Sequence, residues 1–212
     1  MYPCIEAIEW RDGRPMRLEY HQRRVDEAFR ALFPEAKPFS LEEELAASGS
    51  MCSAETGLCA EKLPAVGLYK LRLAYDRCIR ELEWQEYKIR DIRSIQLVEI
   101  HHSSMRYKST ERAFIDEAFA RRGECDDILM VNEGMLTDTS YANVAFFNGQ
   151  KWLSPRIPIV YGTRRAYLLD QGLIETADIV VADLRRFQRI RLFNAMIGFG
   201  EIELSVDAVL GN

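Results

Sequence analysis

Apolar and polar positions change period several times along the 212-residue chain, and each change marks an element. CIEAIEWRDGRPMRLEYH alternates roughly around Ile5 and Ala7 and turns at Asp12-Gly13, which predicts a hairpin. In HQRRVDEAFRALF the residues Val25, Ala28, Phe29 and Leu32 recur at i, i+3, i+4 and i+7. That is one apolar helical face, closed off by Pro34 and Pro38. Ser40 with Glu43 reads as a capping box that opens a short acidic helix through Ala47. Residues 48–66, rich in Gly, Ser, Ala and Cys, have little period and read as a loop. GLYKLRLAYDRCIRELEWQEYKI then reads as strand, turn, strand, with Leu71, Leu73 and Tyr75 on one face.

In the second half, IQLVEIHH predicts a strand and TERAFIDEAFARRG an amphipathic helix ending at Gly123. DILMVNEGMLTDTS and NVAFFNGQKWLSP predict two hairpins, turning at Asn132-Glu133-Gly134 and Asn148-Gly149. IPIVYGTRRAYLLDQG predicts a strand leading into a helix that stops at Gly172, and RIRLFNAMIGFGEIELSVDAVL is strand-like. The alternation fades between Tyr87 and Arg93, so we expect a small N-terminal α+β domain over 1–90 and a larger one over 91–212. Strands and short helices mix without regular βαβ alternation, which makes the class α+β.

Composition narrows the possibilities. With 48% hydrophobic and 29% charged residues the chain has the profile of an ordinary globular protein. A net charge of −5 argues against nucleic acid as a partner. No apolar run has the length to cross a bilayer, and Glu6 and Glu9 stand where a signal peptide would be apolar. A cytoplasmic location is expected. The five cysteines are odd in number and none is spaced C-x-x-C, and Cys52 and Cys59 have no histidine nearby. Reduced thiols are therefore expected, with neither a disulfide framework nor a zinc site. His101 and His102 would face opposite sides of a strand, and His21 stands alone, so no metal site is expected.

Four places carry candidate chemistry. Lys108, in RYKSTERAF, lies between a strand end and a helix start, with Arg106 and Arg112 close in sequence. Neighbouring cations and desolvation would make it a reactive amine; otherwise it is a solvated lysine. In VYGTRR the Gly162-Thr163 pair precedes a helix, whose outward amides and dipole suit a phosphate or carboxylate. The alternative is an ordinary threonine N-cap after a glycine turn. Arg24 borders the apolar helical face and either snorkels to solvent or meets an anion. Asp138 sits in a strand-like stretch, where aspartate is depleted, with Asn143 five residues on. It is either part of a turn or a carboxylate held against a buried cation.

Taken in order, these segments resemble the class IV, or fold-type IV, pyridoxal-phosphate enzymes over nearly the whole chain. That group includes branched-chain and D-amino-acid aminotransferases and 4-amino-4-deoxychorismate lyase. YHQRRV is similar to the family's H-x-x-R-[LV] segment, which makes Arg24 the expected phosphate ligand. RYKSTER resembles the segment bearing the Schiff-base lysine, which nominates Lys108. DTSYANVAF is similar to E-x-[ST]-x-x-N-[VI], GTRR to the phosphate-binding I-T-R turn, and LFNAMIG to the late T-N-S segment. The resemblance implies phosphate contacts from Gly162, Thr163, Asn194 and Ala195. It also implies a carboxylate, Asp138, against the pyridine nitrogen, accompanied by Asn143.

The chain departs from the family pattern in four respects. Asp138 replaces the usual glutamate, Gly162 replaces a branched residue, and Ala195 replaces a hydroxyl residue. The chain also begins almost at CIEAIEW, so the two-domain architecture is expected to be compact with a shortened N-terminus. Elimination of pyruvate from 4-amino-4-deoxychorismate is the favoured activity. It fits a compact chain with a single substrate, and the lyase-like spacing of Lys108 and Arg112. The alternatives are an aminotransferase on branched-chain or D-amino acids, and a catalytically degenerate cofactor-binding or regulatory protein. The expected partners are a small-molecule amine substrate and, because the family's site lies near a dimer interface, a second copy of the chain.

Overall fold

The structure, a computed structural model, describes residues 4–48, 66–101 and 107–211. The loop expected over 48–66 lies almost wholly outside the described residues, as do Cys52, Cys59, His102 and Arg106. The chain divides into two compact units, Met1–Lys88 with Tyr107–Thr110, and Ile89–Arg106 with Glu111–Asn212.

The first unit is a four-stranded antiparallel sheet covered by helices. Its elements are β1 (Cys4–Arg11), β2 (Arg14–Pro15), α1 (Leu18–Leu32), α2 (Leu41–Ser48), β3 (Leu68–Tyr75) and β4 (Ile79–Glu86), with strand order β2-β1-β3-β4. Asp12 and Gly13 both adopt positive φ, as the tightest hairpin turn requires. β1 turns Cys4, Glu6, Ile8 and Trp10 inward, and β3 adds Leu71, Leu73 and Tyr75. The apolar stripe of α1, Val25, Ala28 and Phe29, closes this core. Fully burying side chains such as Ile8, Val25 and Leu71 contributes roughly 1.5–3 kcal/mol each. α1 begins three residues before the predicted start, because Arg17 takes positive φ as its N-cap and holds the turn by bonding Glu9. Ser40 caps α2 by accepting from the Glu43 amide at 3.3 Å.

Tyr107–Thr110 lies along the part of β1 that β2 leaves uncovered. Cys4 bridges Ser109, and the Ile5 amide donates to the Lys108 carbonyl at 2.8 Å.

The second unit has two sheets. β5 (Ile95–Ile100), β6 (Asp127–Asn132), β7 (Met135–Thr139) and the closing β13 (Val209–Leu210) form one, in the order β13-β5-β6-β7. β8 (Asn143–Phe147), β9 (Trp152–Pro155), β10 (Glu175–Ala177), β11 (Arg189–Phe193) and β12 (Ile202–Ser205) form the other, in the order β10-β9-β8-β11-β12. α3 (Ala113–Ala120) joins the parallel strands β5 and β6 and packs Ile115 and Ala118 on them. α4 (Thr163–Asp170) packs Leu168 against Ala145 and Phe193 of the second sheet. Among the described residues no helix is long and apolar enough to cross a membrane.

Both predicted hairpins form, and Glu133 and Gly134 take the positive φ that a two-residue turn needs. Three expectations need correction. α3 starts at Ala113 and ends at Ala120; Arg121 caps it, because the Arg121 and Arg122 amides turn back to Ala118 and Phe119. Gly123 takes positive φ only beyond that tightened turn. The strand expected over residues 157–161 does not form: Val160 makes no more than a single-residue bridge, and its own amide and carbonyl are taken by the side chains of Asp138 and Asn143. The short parallel strand β10 was not foreseen, since three residues are too few to show a period.

Candidate functional site

In the first unit, Arg24 and His21 lie three residues apart on α1, on the side that meets β1. Glu6 of β1 meets both. Arg24 donates through Nε at 2.8 Å and through a terminal nitrogen at 2.6 Å to the two Glu6 oxygens, and His21 Nδ1 lies 2.5 Å from Glu6 Oε2. Glu6 and His21 are each 1% exposed. Burial alone would push the Glu6 carboxyl up, but Arg24 and the His21 hydrogen bond outweigh it and bring it down to about 2. His21 is pushed below the usual imidazole range, chiefly by burial, and the charges of Arg24 and Lys108 act in the same direction. The imidazole is thus neutral beside an ionised carboxylate, with its proton on Nδ1. Burial and then the Glu6 charge raise the Cys4 thiol and Tyr75 phenol, which remain neutral there.

Lys108 is half-buried, its carbonyl held by Ile5, one residue from Glu6. Arg24 and Lys108 thus both adjoin β1, Arg24 through Glu6 and Lys108 through its main chain at Ile5. Arg24 neither snorkels nor stands open to solvent: part of its guanidinium is committed to Glu6.

In the second unit, Asp138 of β7 is 4% exposed. One of its oxygens accepts from the Asn143 amide at 2.9 Å and the other from the Val160 amide at 2.8 Å. Asn143 Nδ2 also donates to the Val160 carbonyl at 2.8 Å. These bonds hold the connector that enters α4. Burial pushes the Asp138 carboxyl up to about 6, against the opposing pull of the Val160 and Asn143 hydrogen bonds and the charge of Arg165. Gly162 is the N-cap of α4 in extended conformation, and a Cβ there would overlap the Asn143 side-chain oxygen. The missing side chain is therefore a matter of room as well as of backbone freedom.

Thr163 opens α4 and is buried. Its neighbour Arg164 donates to the carbonyls of Asn194 at 2.6 Å and Ala195 at 2.9 Å. Asn194 in turn donates to the Tyr141 carbonyl at 3.1 Å and accepts from the amides of Met196 and Ile197. Two hydrogen-bonded networks, one of Asp138, Asn143 and Val160 and one of Arg164, Asn194 and Ala195, thus hold the chain on either side of Gly162 and Thr163 at the start of an eight-residue helix. A helix start of this kind attracts anions.

The sequence reading missed Glu6, His21, Arg164 and Arg165. For Glu6 a signal was present: it falls in register with Cys4, Ile8 and Trp10, and an acid on the inward face of a strand requires a buried partner. His21 and Arg24 at i and i+3 on the inner side of α1 supply that partner. Nothing in GTRR says that both arginines turn inward; each is under a tenth exposed. Among the described residues no three His, Cys, Asp or Glu side chains gather as metal ligands.

The chain is similar to known proteins over most of its length. The family model for amino-transferase class IV matches residues 4–204. An uncharacterized protein of Haemophilus influenzae is 30% identical over 200 residues, 93% of this chain and 100% of its own. The aminodeoxychorismate lyase of Saccharomyces cerevisiae is 35% identical over 82 residues, which span 35% of this chain but 22% of that enzyme. Among solved structures, a protein of Haemophilus somnus 129pt, described provisionally as a 4-amino-4-deoxychorismate lyase, is similar with a TM-score of 0.80 and 28% identity. The match covers 93% of this chain and 98% of that one.

Proposed function

We propose, from the premise that the chain belongs to the class IV amino-transferase family, that it is a pyridoxal-phosphate enzyme releasing pyruvate and 4-aminobenzoate from 4-amino-4-deoxychorismate. The observation that carries the cofactor reading is the joining of the buried Asp138 carboxylate to the start of α4 through Asn143, Val160 and Gly162. This donor and acceptor set fits a phosphorylated pyridine. The α4 start suits a dianionic phosphate, and a buried carboxylate suits a protonated ring nitrogen. Similarity to proteins named as aminodeoxychorismate lyases supports the choice of substrate.

When bound, pyridoxal phosphate supplies an electron sink for bonds at the substrate carbon that carries the amine. The chain's own residues do the rest. The amides of Gly162 and Thr163, with the Thr163 hydroxyl, bind phosphate, and Arg164 fixes the Asn194–Ala195 turn beside them. Arg24, held flat by Glu6, is assigned as a further phosphate ligand. Asp138 holds the proton on the ring nitrogen, and the Asn143 and Val160 bonds fix its orientation. Lys108 would hold the cofactor through its amine. When that amine is free, it would take up the proton from the substrate carbon that bears the amino group, the proton then passing to the departing enol fragment. The substrate C–O bond breaks, the carbocycle becomes aromatic, and the three-carbon fragment leaves as pyruvate.

The test is incubation of the purified, cofactor-loaded protein with 4-amino-4-deoxychorismate, with pyruvate followed by a coupled dehydrogenase. Pyruvate and 4-aminobenzoate in equal amounts are expected. Keto-acid formation from a branched-chain or D-amino acid, without pyruvate release, would identify an aminotransferase instead.

A further inference from the structure

The connector between β9 and α4, residues 156–162, is exposed at Ile157 and Tyr161. A cleft lined by Met135, Leu136, Thr137 and Ala177 lies against 156–159, so apolar packing does not by itself fix that stretch. Hydrogen bonds do. The Arg156 amide donates to the Ala177 carbonyl at 2.8 Å, on the parallel strand β10, and the Val160 main chain is held by Asp138 and Asn143.

A further tie comes from α4 itself. Arg165, in the first turn of the helix, is 5% exposed and reaches back to the far end of the connector. Its Nε donates to the Ser154 hydroxyl at 3.3 Å, and one terminal nitrogen to the carbonyls of Pro155 at 2.8 Å and Arg156 at 3.5 Å. Ser154 and Pro155 are the buried last residues of β9, paired with Thr176 and Ala177 of β10. One side chain therefore closes the connector into a loop and anchors it to a sheet. The joint calls for an arginine. A guanidinium is planar and presents its N–H donors at fixed angles, so it meets acceptors from three successive residues. A lysine ammonium offers its donors from a single atom and cannot stand at both positions. Arg164, from the same turn, donates instead to the Asn194 and Ala195 carbonyls. The two arginines thus hold the start of α4 at two separate places.

We infer that Arg165 is a positioning residue: by tying the first turn of α4 to the end of β9, it fixes the direction of the Gly162 and Thr163 amides and so the affinity of the site for a phosphate group. Amides stabilise an anion only where they converge on it. A helix start that swings loses affinity for the phosphate of a ligand and not for the rest. The phosphate role rests on the cofactor reading above; the tie between α4 and β9 does not.

The experiment compares the full-length chain with Arg165→Gln, Arg165→Lys and Ser154→Ala. Dissociation constants are measured for pyridoxal phosphate and for pyridoxal, which lacks the phosphate, and amide hydrogen exchange at Val160 is followed without ligand. Both Arg165 variants should lose about tenfold or more in affinity for pyridoxal phosphate, change by about twofold or less for pyridoxal, and exchange Val160 faster. Ser154→Ala, which removes one acceptor, should show a smaller loss of the same kind. An equal loss for both ligands would mean that Arg165 supports only the fold, and would overturn the inference. So would a lysine variant that binds like wild type. Should the glutamine variant not fold, the lysine and Ser154→Ala variants decide by the same ratio. A wild type that binds neither compound removes the cofactor reading; faster Val160 exchange in the variants then still supports the tie, and unchanged exchange overturns it.

Discussion

Glu6 illustrates how one residue fixes several others. Its carboxylate lies between β1 and α1 at 1% exposure, and it is the acceptor for both Arg24 and His21. Its folded-state value of about 2 lies below the ordinary carboxylate range near 4.5. The stabilisation is therefore complete above about pH 4.5 and is lost as the pH falls towards 2. The shift corresponds to about 3 kcal/mol. Glu6→Gln, followed by urea unfolding, should cost about 3–5 kcal/mol at pH 7, because Arg24 is left buried without its carboxylate. The difference from wild type should narrow steadily below pH 4.5; a constant difference across that range would refute the charge assignment. Glu6 was only partly legible in the sequence. Its register with the buried positions of β1 was visible, but its partners lie on a helix fifteen and eighteen residues away. By contrast, Arg24 and Lys108 were nominated by motif alone, and which groups surround them depends on tertiary packing.

At the scale of elements, the connector between β9 and α4 departs most from the sequence reading. IPIVY has the composition of a strand, yet its central amide and carbonyl are taken by the side chains of Asp138 and Asn143. Composition records that a segment prefers extended backbone, but it is silent on which groups will bind its main chain. The elements with a strong period, α1 and the hairpins, were legible because each buries one face. The connector also explains Gly162. Gly162→Ala should cost about 1–3 kcal/mol in unfolding experiments, since a methyl group would press on an amide already held by two hydrogen bonds. Combined with Asn143→Ala, which removes the obstructing group, the loss should be clearly smaller than the sum of the two single losses. Strict additivity would mean that the methyl group finds room elsewhere.

At the scale of the whole molecule, each unit carries part of the proposed chemistry. The first unit contributes an arginine on a helix tied to β1 by a buried carboxylate, and a lysine on the segment bonded to the same strand. The second contributes a buried acid tied to the segment that enters a helix start. The chain belongs to the class IV amino-transferase family, and the departure at Gly162 leaves room for the Asn143 side chain. The measurement that bears most directly on this account is borohydride reduction of the protein loaded with pyridoxal phosphate, followed by peptide mapping. The account predicts a visible absorbance band that reduction abolishes and a single phosphopyridoxyl adduct on Lys108, absent in Lys108→Ala. An adduct on another lysine, or no band at saturating cofactor, would contradict it.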